Sequence, residues 1–248
     1  MKTITSLQNP EIKLIEKLHD SKARKEQGKF LAEGIRVCST LIASDAKLIQ
    51  LYITEKMQSY ALGFTTEHKV TIVNDQIMKK ISNSENPSGI LGVFEIPKQK
   101  DLNLLTSGIV LAQISDPGNM GTLIRSAAAM GIKTVILIEG ADPFNSKVVQ
   151  SSAGTLLQVN LFRLSWDELI KNKQKLKLCA LVVSGGRKPN EINLNETLLV
   201  IGNEAHGIPE NWQNQCDEKM TLPMIGNVES FNAAIAGSIA MYLLATSK

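Results

Sequence analysis

The stretch Thr197-Leu-Leu-Val-Ile201-Gly-Asn-Glu-Ala-His-Gly207 decides the fold. An apolar run stops at a glycine, and a polar loop follows. A run without polar alternation buries both of its faces, the pattern of a central strand in a parallel sheet. Open α/β sheets hold ligands where such strands end. The same construction recurs. Ile109–Ile114 leads into Asp116-Pro-Gly-Asn-Met-Gly121, and Val182-Val183 leads into Ser184-Gly-Gly-Arg187. The tail Leu222-Pro-Met-Ile-Gly-Asn-Val-Glu-Ser-Phe-Asn232 leads into a helix of small residues. Loops of one design after buried strands point to one site.

Further apolar runs, Lys133–Ile138, Leu157–Leu161 and Lys177–Val183, predict more parallel strands. Helical segments lie between most of them, at Gly121–Met130, Ser146–Ser152 and Trp166–Lys173. Together they predict an α/β domain over 108–248. The polar, aperiodic stretch 97–107 reads as a linker. Residues 1–96 read as a smaller α/β domain. Asn9-Pro10 opens a helix with Ile12, Ile15 and Leu18 on one side, and Phe30–Arg36 turns into a second helix. Lys47–Ile53, Val70–Val73 and Gly89–Glu95 predict strands, with a helix over Asp75–Ile81. The polar loop 83–89 is expected to be an ordinary turn, with RNA contact as the alternative.

Bulk properties exclude several classes. The chain has 248 residues, 43% hydrophobic, with a formal charge of +3, a balance compatible with nucleic acid but not diagnostic of it. Its three cysteines, Cys38, Cys179 and Cys216, are far apart, so neither a disulfide framework nor a metal site is expected. The first residues lack the apolar core of a signal peptide, and no apolar run is long enough to span a membrane. A cytoplasmic protein is expected.

Each loop offers chemistry beside a plainer alternative. Asn119 supplies an amide, or merely caps a helix. Arg125 can reach back over its loop, or pair with a surface acid. Glu204 can hold a donor, or cap a helix, and His206 reads as a solvated loop residue. Ser230 and Asn232 sit at a helix mouth, where backbone N–H groups lack partners. Lys22, Arg24, Lys25 and Arg36 are candidate RNA phosphate contacts, with a solvated basic face as the alternative. GxGxxG and GxxxxGK[ST] are absent, as are GxSxG and HExxH.

Three segments carry a family resemblance: Asn119–Gly131, Leu199–Gly207 and Leu222–Asn232. In order and content they resemble the motifs of the SpoU/TrmH branch of the SPOUT methyltransferases. The N-terminal domain resembles a ribosomal-protein-like substrate-binding domain. The resemblance implies a parallel-sheet α/β domain whose C-terminal segment forms a deep trefoil knot, and a homodimer assembled through it. It implies methyl transfer from S-adenosylmethionine to a ribose 2′-hydroxyl of RNA, with ribosomal RNA favoured over transfer RNA. A non-catalytic RNA-binding protein is the alternative from another class. By resemblance the catalytic set is Arg125, Asn119, Glu204, Ser230 and Asn232. The cofactor set is Ser184, Gly185, Ile201, Gly202, Leu222, Met224 and Phe231, where Phe231 replaces the family's usual Leu. Arginine is a poor base near neutral pH, so Arg125 is expected to orient the hydroxyl, with Glu204 or an RNA phosphate as a possible proton relay. The stripe Ile235, Ile239, Tyr242 and Leu243 on the last helix is expected to pack mostly inside its own subunit.

Overall fold

The computed structural model describes residues 1–63 and 65–246 and divides the chain into two compact units. The first comprises Met1–Lys98 together with Asp142–Leu157, and the second comprises Gln99–Ala141 and Gln158–Lys248.

In the first unit the strands are β1 (Lys2–Ile4), β2 (Lys29–Glu33), β3 (Leu48–Ile53), β4 (Val70–Val73) and β5 (Ile90–Glu95). They form one sheet in the order β1-β4-β3-β5-β2. β1 and β3 flank β4 in parallel, while β5 runs antiparallel to β3 and β2. Sequence reasoning missed β1 and β2. In β2 the apolar triplet Phe30, Leu31 and Ala32 is almost fully buried, and a charged residue at each end disguised it. The helices are locally encoded. Asn9 and Asp20 accept bonds from Glu11 N and Lys22 N, capping Pro10–Glu16 and Ser21–Gln27. Gly28, at φ 62°, ends the second helix in the left-handed region. Ile12, Leu18, Leu31, Ile77 and Leu91 lie in one core cluster.

The second unit holds β6 (Gly108–Ala112), β7 (Thr134–Ile138), β8 (Asn160–Arg163), β9 (Lys177–Leu181), β10 (Thr197–Ile201) and β11 (Glu218–Met220). Their order is β11-β9-β10-β6-β7-β8, and every pairing is parallel. The central strands β6, β7 and β10 are buried along their whole length, as their unbroken apolar runs require. Three predicted strands shift, β6 ending at Ala112 rather than at the expected Ile114. The run placed at Leu157–Leu161 pairs instead over Asn160–Arg163, where Phe162 becomes fully buried. β9 stops at Leu181, short of the expected Val183. β11 had been missed: it spans only Glu218–Met220, too short for an alternating pattern. Helix Ser146–Ser151, read from sequence within the 108–248 domain, lies in the segment that packs with the first unit.

The last helix, Ala233–Thr246, packs on helix Pro117–Ala129 and on β10. Gly237 permits the approach: a methyl group there would lie 2.5 Å from Leu123 Cδ2 and 2.8 Å from Ile201 Cδ1. Ser126 and Ser238 share a 2.8 Å hydrogen bond across the same contact. The inward face is therefore Ala234, Gly237, Ala240, Met241 and Leu244. That corrects the expectation for the bulky stripe. Ile235, Ile239 and Tyr242 are exposed by 51%, 38% and 60%, because small residues rather than large ones face the core. Among the described residues no helix is long and apolar enough to cross a membrane.

Candidate active site

Three loops of the second unit meet at the ends of the parallel strands. Asp116 caps helix Pro117–Ala129, accepting the Asn119 N–H at 2.8 Å. That bond fixes Asn119 in the first turn. Its side-chain amide then joins two distant loops. Asn119 Nδ2 donates to Glu204 Oε1 at 3.0 Å, and Asn119 Oδ1 accepts from Asn232 Nδ2 at 3.2 Å. Asn232 also caps the last helix, its Oδ1 accepting Ala234 N at 2.9 Å and Ile235 N at 3.3 Å.

The Glu204 carboxylate is the hub. Besides Asn119 it accepts Ser115 Oγ at 2.9 Å, Ser115 N at 3.2 Å and Asp116 N at 3.1 Å. Partial burial raises its carboxyl pKa. The bonds from Asn119, from its own backbone and from Ser115 outweigh that effect, and the net shift is downward. Both oxygens are engaged and the charged form is favoured, so Glu204 is arranged as a clamp and poorly suited to carry a proton.

Asn203 makes the clamp possible. Its backbone and that of Gly207 exchange two 3.0 Å bonds, closing the loop. Its Oδ1 accepts Ala205 N and His206 N, while its Nδ2 donates to the Gln113 carbonyl at 2.8 Å. Gly202 sits under this closure, where a Cβ would come within 2.4 Å of the Gly207 carbonyl carbon. Sequence reasoning missed Asn203, Ser115 and Asp116. Asp116 was findable as an N-cap residue before Pro117.

Beside the clamp lies a cavity of about 130 Å³. Ile201, Gly202, Leu222, Met224 and Phe231 from the expected cofactor set line it, and so do Glu204 and Ser230. Ser184 and Gly185 do not; they sit on an exposed turn just beyond Val183, which does. Leu181, Val182, Gly207, Ala233 and Ala236 complete the walls and were not foreseen. The lining is apolar on most sides, with carboxylate, amide and hydroxyl groups from Glu204, Asn203 and Ser230. The chemistry of this lining suits an adenosine bearing an aliphatic sulfur chain, of which a cavity of about 130 Å³ encloses only part. Phe231 is 38% exposed, so its extra bulk projects partly to solvent.

Arg125 lies on helix Pro117–Ala129 beyond Asn119 and is exposed. Among the described residues its guanidinium forms no hydrogen bond or ion pair, so the surface-pair alternative finds no support here. The N-terminal cations divide. Lys22, Lys25 and Arg36 are exposed, Lys22 lying 4.0 Å from Glu26. Arg24 corrects the phosphate reading. Its side chain is 3% exposed, with Nε and Nη2 on Asp142 Oδ2 at 2.9 and 2.8 Å and Nη1 on the Leu18 and His19 carbonyls. With four of its five N–H groups engaged and its side chain buried, this guanidinium is not placed to bind phosphate. Among the described residues no cluster of His, Cys, Asp and Glu could hold a metal ion.

Residues 107–242 match the SpoU rRNA Methylase family. The chain belongs to that family. Residues 9–92 match the MRM3-like substrate binding domain. One relative, the 23S rRNA (guanosine(2553)-2′-O)-methyltransferase RlmP of Bacillus subtilis, is 27% identical over 98% of this chain and 99% of its own. The 23S rRNA (uridine(2479)-2′-O)-methyltransferase of Streptomyces viridochromogenes is 26% identical over 88% and 83%. Among solved structures, an AdoMet-bound rRNA methyltransferase from Sinorhizobium meliloti superposes with a TM-score of 0.86 at 27% identity, covering 98% of this chain and 97% of that one. The SpoU methyltransferase AviRb from Streptomyces viridochromogenes, in complex with AdoMet, gives 0.82 at 25%, covering 96% and 97%. The chain is an S-adenosylmethionine-dependent RNA 2′-O-ribose methyltransferase.

Proposed function

We propose that the chain methylates a ribose 2′-hydroxyl of ribosomal RNA at the clamp formed by Asn119, Glu204 and Asn232. The observation that carries the assignment is the hydrogen-bonded bridge of these three residues beside an apolar cavity. Leu222, Met224 and Phe231 hold the adenosine end of the cofactor by apolar contact, and Gly202 leaves room for it. Bound S-adenosylmethionine supplies a methyl group already activated by its sulfonium. The protein's tasks are alignment and activation of the hydroxyl.

Arg125 has no partner among the described residues and supplies fixed positive charge where the hydroxyl oxygen gains negative charge. Ser230, whose hydroxyl also has no partner among the described residues, orients the nucleotide at the cavity mouth. Glu204 holds Asn119 and the first loop in place. The proton then leaves by an RNA phosphate or water. Mapping 2′-O-methyl sites in total RNA with and without the gene tests the function. Loss of one ribosomal site is expected, and an unchanged map would overturn the assignment.

The exposed stripe Ile235, Ile239 and Tyr242 supports a homodimer through this unit. Replacing Ile239 and Tyr242 by Asp should convert a dimer to a monomer in light scattering, and an unaltered mass would overturn that reading. The final segment closes a trefoil knot in this reading. Its support is the packing of Ala233–Thr246 against both helix Pro117–Ala129 and β10. A crystallographic trace without threading would refute it. The protein is read as cytoplasmic in keeping with action on ribosomal RNA, and cell fractionation checks this.

A further inference from the structure

The first unit contains a cavity of about 600 Å³ that the methyl-transfer reading leaves unused. Ligand pockets run from roughly 300 to 1,000 Å³, so it has the capacity for a nucleotide. Its apolar part is Leu31 and Leu91, exposed by 3% and 1%. One rim is the polar loop with Asn83, Ser84, Asn86 and Ser88, and the other is helix Ser146–Ser151 with Ser146, Lys147 and, at its last turn, Gln150.

The polar groups divide into braces and free groups. Asn83 Nδ2 donates to Ser146 Oγ at 3.1 Å and ties the two rims together. Glu33 accepts Ser82 Oγ at 2.6 Å on one oxygen and Ser88 N at 3.1 Å on the other, which fixes the loop. By contrast, the side chains of Asn86, Gln150 and Lys147 are exposed and form no hydrogen bond or ion pair among the described residues. His19 also lines the cavity. Its Nε2 faces the Ile81 carbonyl at 2.9 Å and so donates, and the buried Nδ1 has no partner among the described residues.

We propose that this cavity binds an unpaired nucleotide of the RNA substrate, with Asn86 and Gln150 reading the base edge and Lys147 meeting its phosphate. The inference rests on the ribosomal RNA reading and adds a recognition site away from the transferred methyl group. Each amide offers a donor and an acceptor, the pairing that discriminates base edges. Unpaired bases, unlike those of a deep-grooved RNA duplex, are open to such reading. Among the described residues no Phe, Tyr or Trp lines the cavity, and Leu31 and Leu91 are almost fully buried, so the base is held by hydrogen bonds more than by stacking.

The test uses the full chain and ribosomal RNA isolated from cells lacking the gene. The double variant Asn86→Ala, Gln150→Ala should raise KM for RNA by roughly 5- to 100-fold. Its kcat should stay within about twofold and its cofactor affinity, by calorimetry, should not change. Lys147→Gln should lower the slope of log affinity against log salt by about 1. An unchanged KM beside active wild-type enzyme overturns the cavity proposal and leaves the methyl-transfer reading standing. If the wild-type chain methylates no ribosomal RNA, that reading fails instead. The cavity is then decided by cross-linking to 4-thiouridine-substituted ribosomal RNA. Cross-links within 83–88 or 146–150 support it, and cross-links only elsewhere overturn it.

Discussion

Asn232 donates its side-chain amide hydrogen to Asn119 at 3.2 Å, across 113 residues of sequence. The same Asn232 side chain caps the last helix through its oxygen. One residue thus anchors the final helix and fixes the orientation of a neighbouring amide. Two substitutions separate these duties. Asn232→Ala loses both, and should lower stability by about 1 kcal/mol and reduce methyl transfer. Asn232→Asp keeps a good N-cap but cannot donate to Asn119. Its stability should stay within about 0.5 kcal/mol of wild type while methyl transfer falls. Thermal melts paired with a tritiated-methyl assay decide, and full activity in the aspartate variant would show that only the cap matters.

Glu204 ties its loop to Ser115, Asp116 and Asn119 in the ionised form, and its pKa is lowered from the ordinary 4.5. A carboxyl lowered in the folded state adds stability above its unfolded pKa and loses it as pH falls through the folded one. Wild-type stability should therefore drop below about pH 4.5. Glu204→Gln keeps the shape, loses the charge and gives one acceptor oxygen to donors that now meet two. It should be less stable than wild type at pH 7, by about 1 kcal/mol for a partly exposed charged hydrogen-bond hub. The gap should narrow on acidification. Melting temperatures of both proteins from pH 7 to 3 give the comparison; a constant gap would remove Glu204 from the pH dependence.

Arg125 is exposed and partnerless among the described residues, so its removal disturbs little of the fold. Arg125→Ala should leave the melting temperature and cofactor affinity unchanged and cut kcat by about 10²- to 10³-fold, the scale of one lost charge-stabilising donor. Arg125→Lys retains charge without the planar fork and should recover only part of the rate. Single-turnover kinetics separate chemistry from product release. Wild-type turnover in the lysine variant would sink the alignment role.

The parallel sheet was legible because both faces of its central strands are buried, which leaves unbroken apolar runs at β6, β7 and β10. Its edges were not: β11 has three residues, and the β8 run competed with the neighbouring Leu156-Leu157. The loops at strand ends announced the site, and Asn119, Glu204 and Asn232 do meet. Their pairing was hidden, since hydrogen bonds spanning 85 and 113 residues leave no local period. Arg24 misled for a related reason. Among neighbouring cations it reads as surface charge, yet Asp142 lies 118 residues on and neutralises it. The last helix misled in the opposite sense, because Gly237 and its small neighbours, not the bulky stripe, face inward.

Gly202 joins β10 to the clamp under the closed 203–207 loop. A Cβ there would stand 2.4 Å from Gly207 C, 2.5 Å from Ile208 N and 2.8 Å from Gly207 O. All three are backbone atoms, so no side chain can swing away to make room. Gly202→Ala must push the loop outward, straining the reciprocal Asn203–Gly207 bonds and shifting Glu204 on the same loop. Overpacking of this kind costs about 1–3 kcal/mol. Methyl transfer should fall further than stability alone explains, because the displaced segment also lines the cavity proposed to hold the cofactor. Calorimetry with S-adenosylmethionine should show weakened binding in Gly202→Ala. Gly226→Ala is the control: a Cβ there meets nothing within 4 Å, and its binding should match wild type. Equal affinity in both variants would mean that the loop accommodates the methyl group without moving the cavity wall.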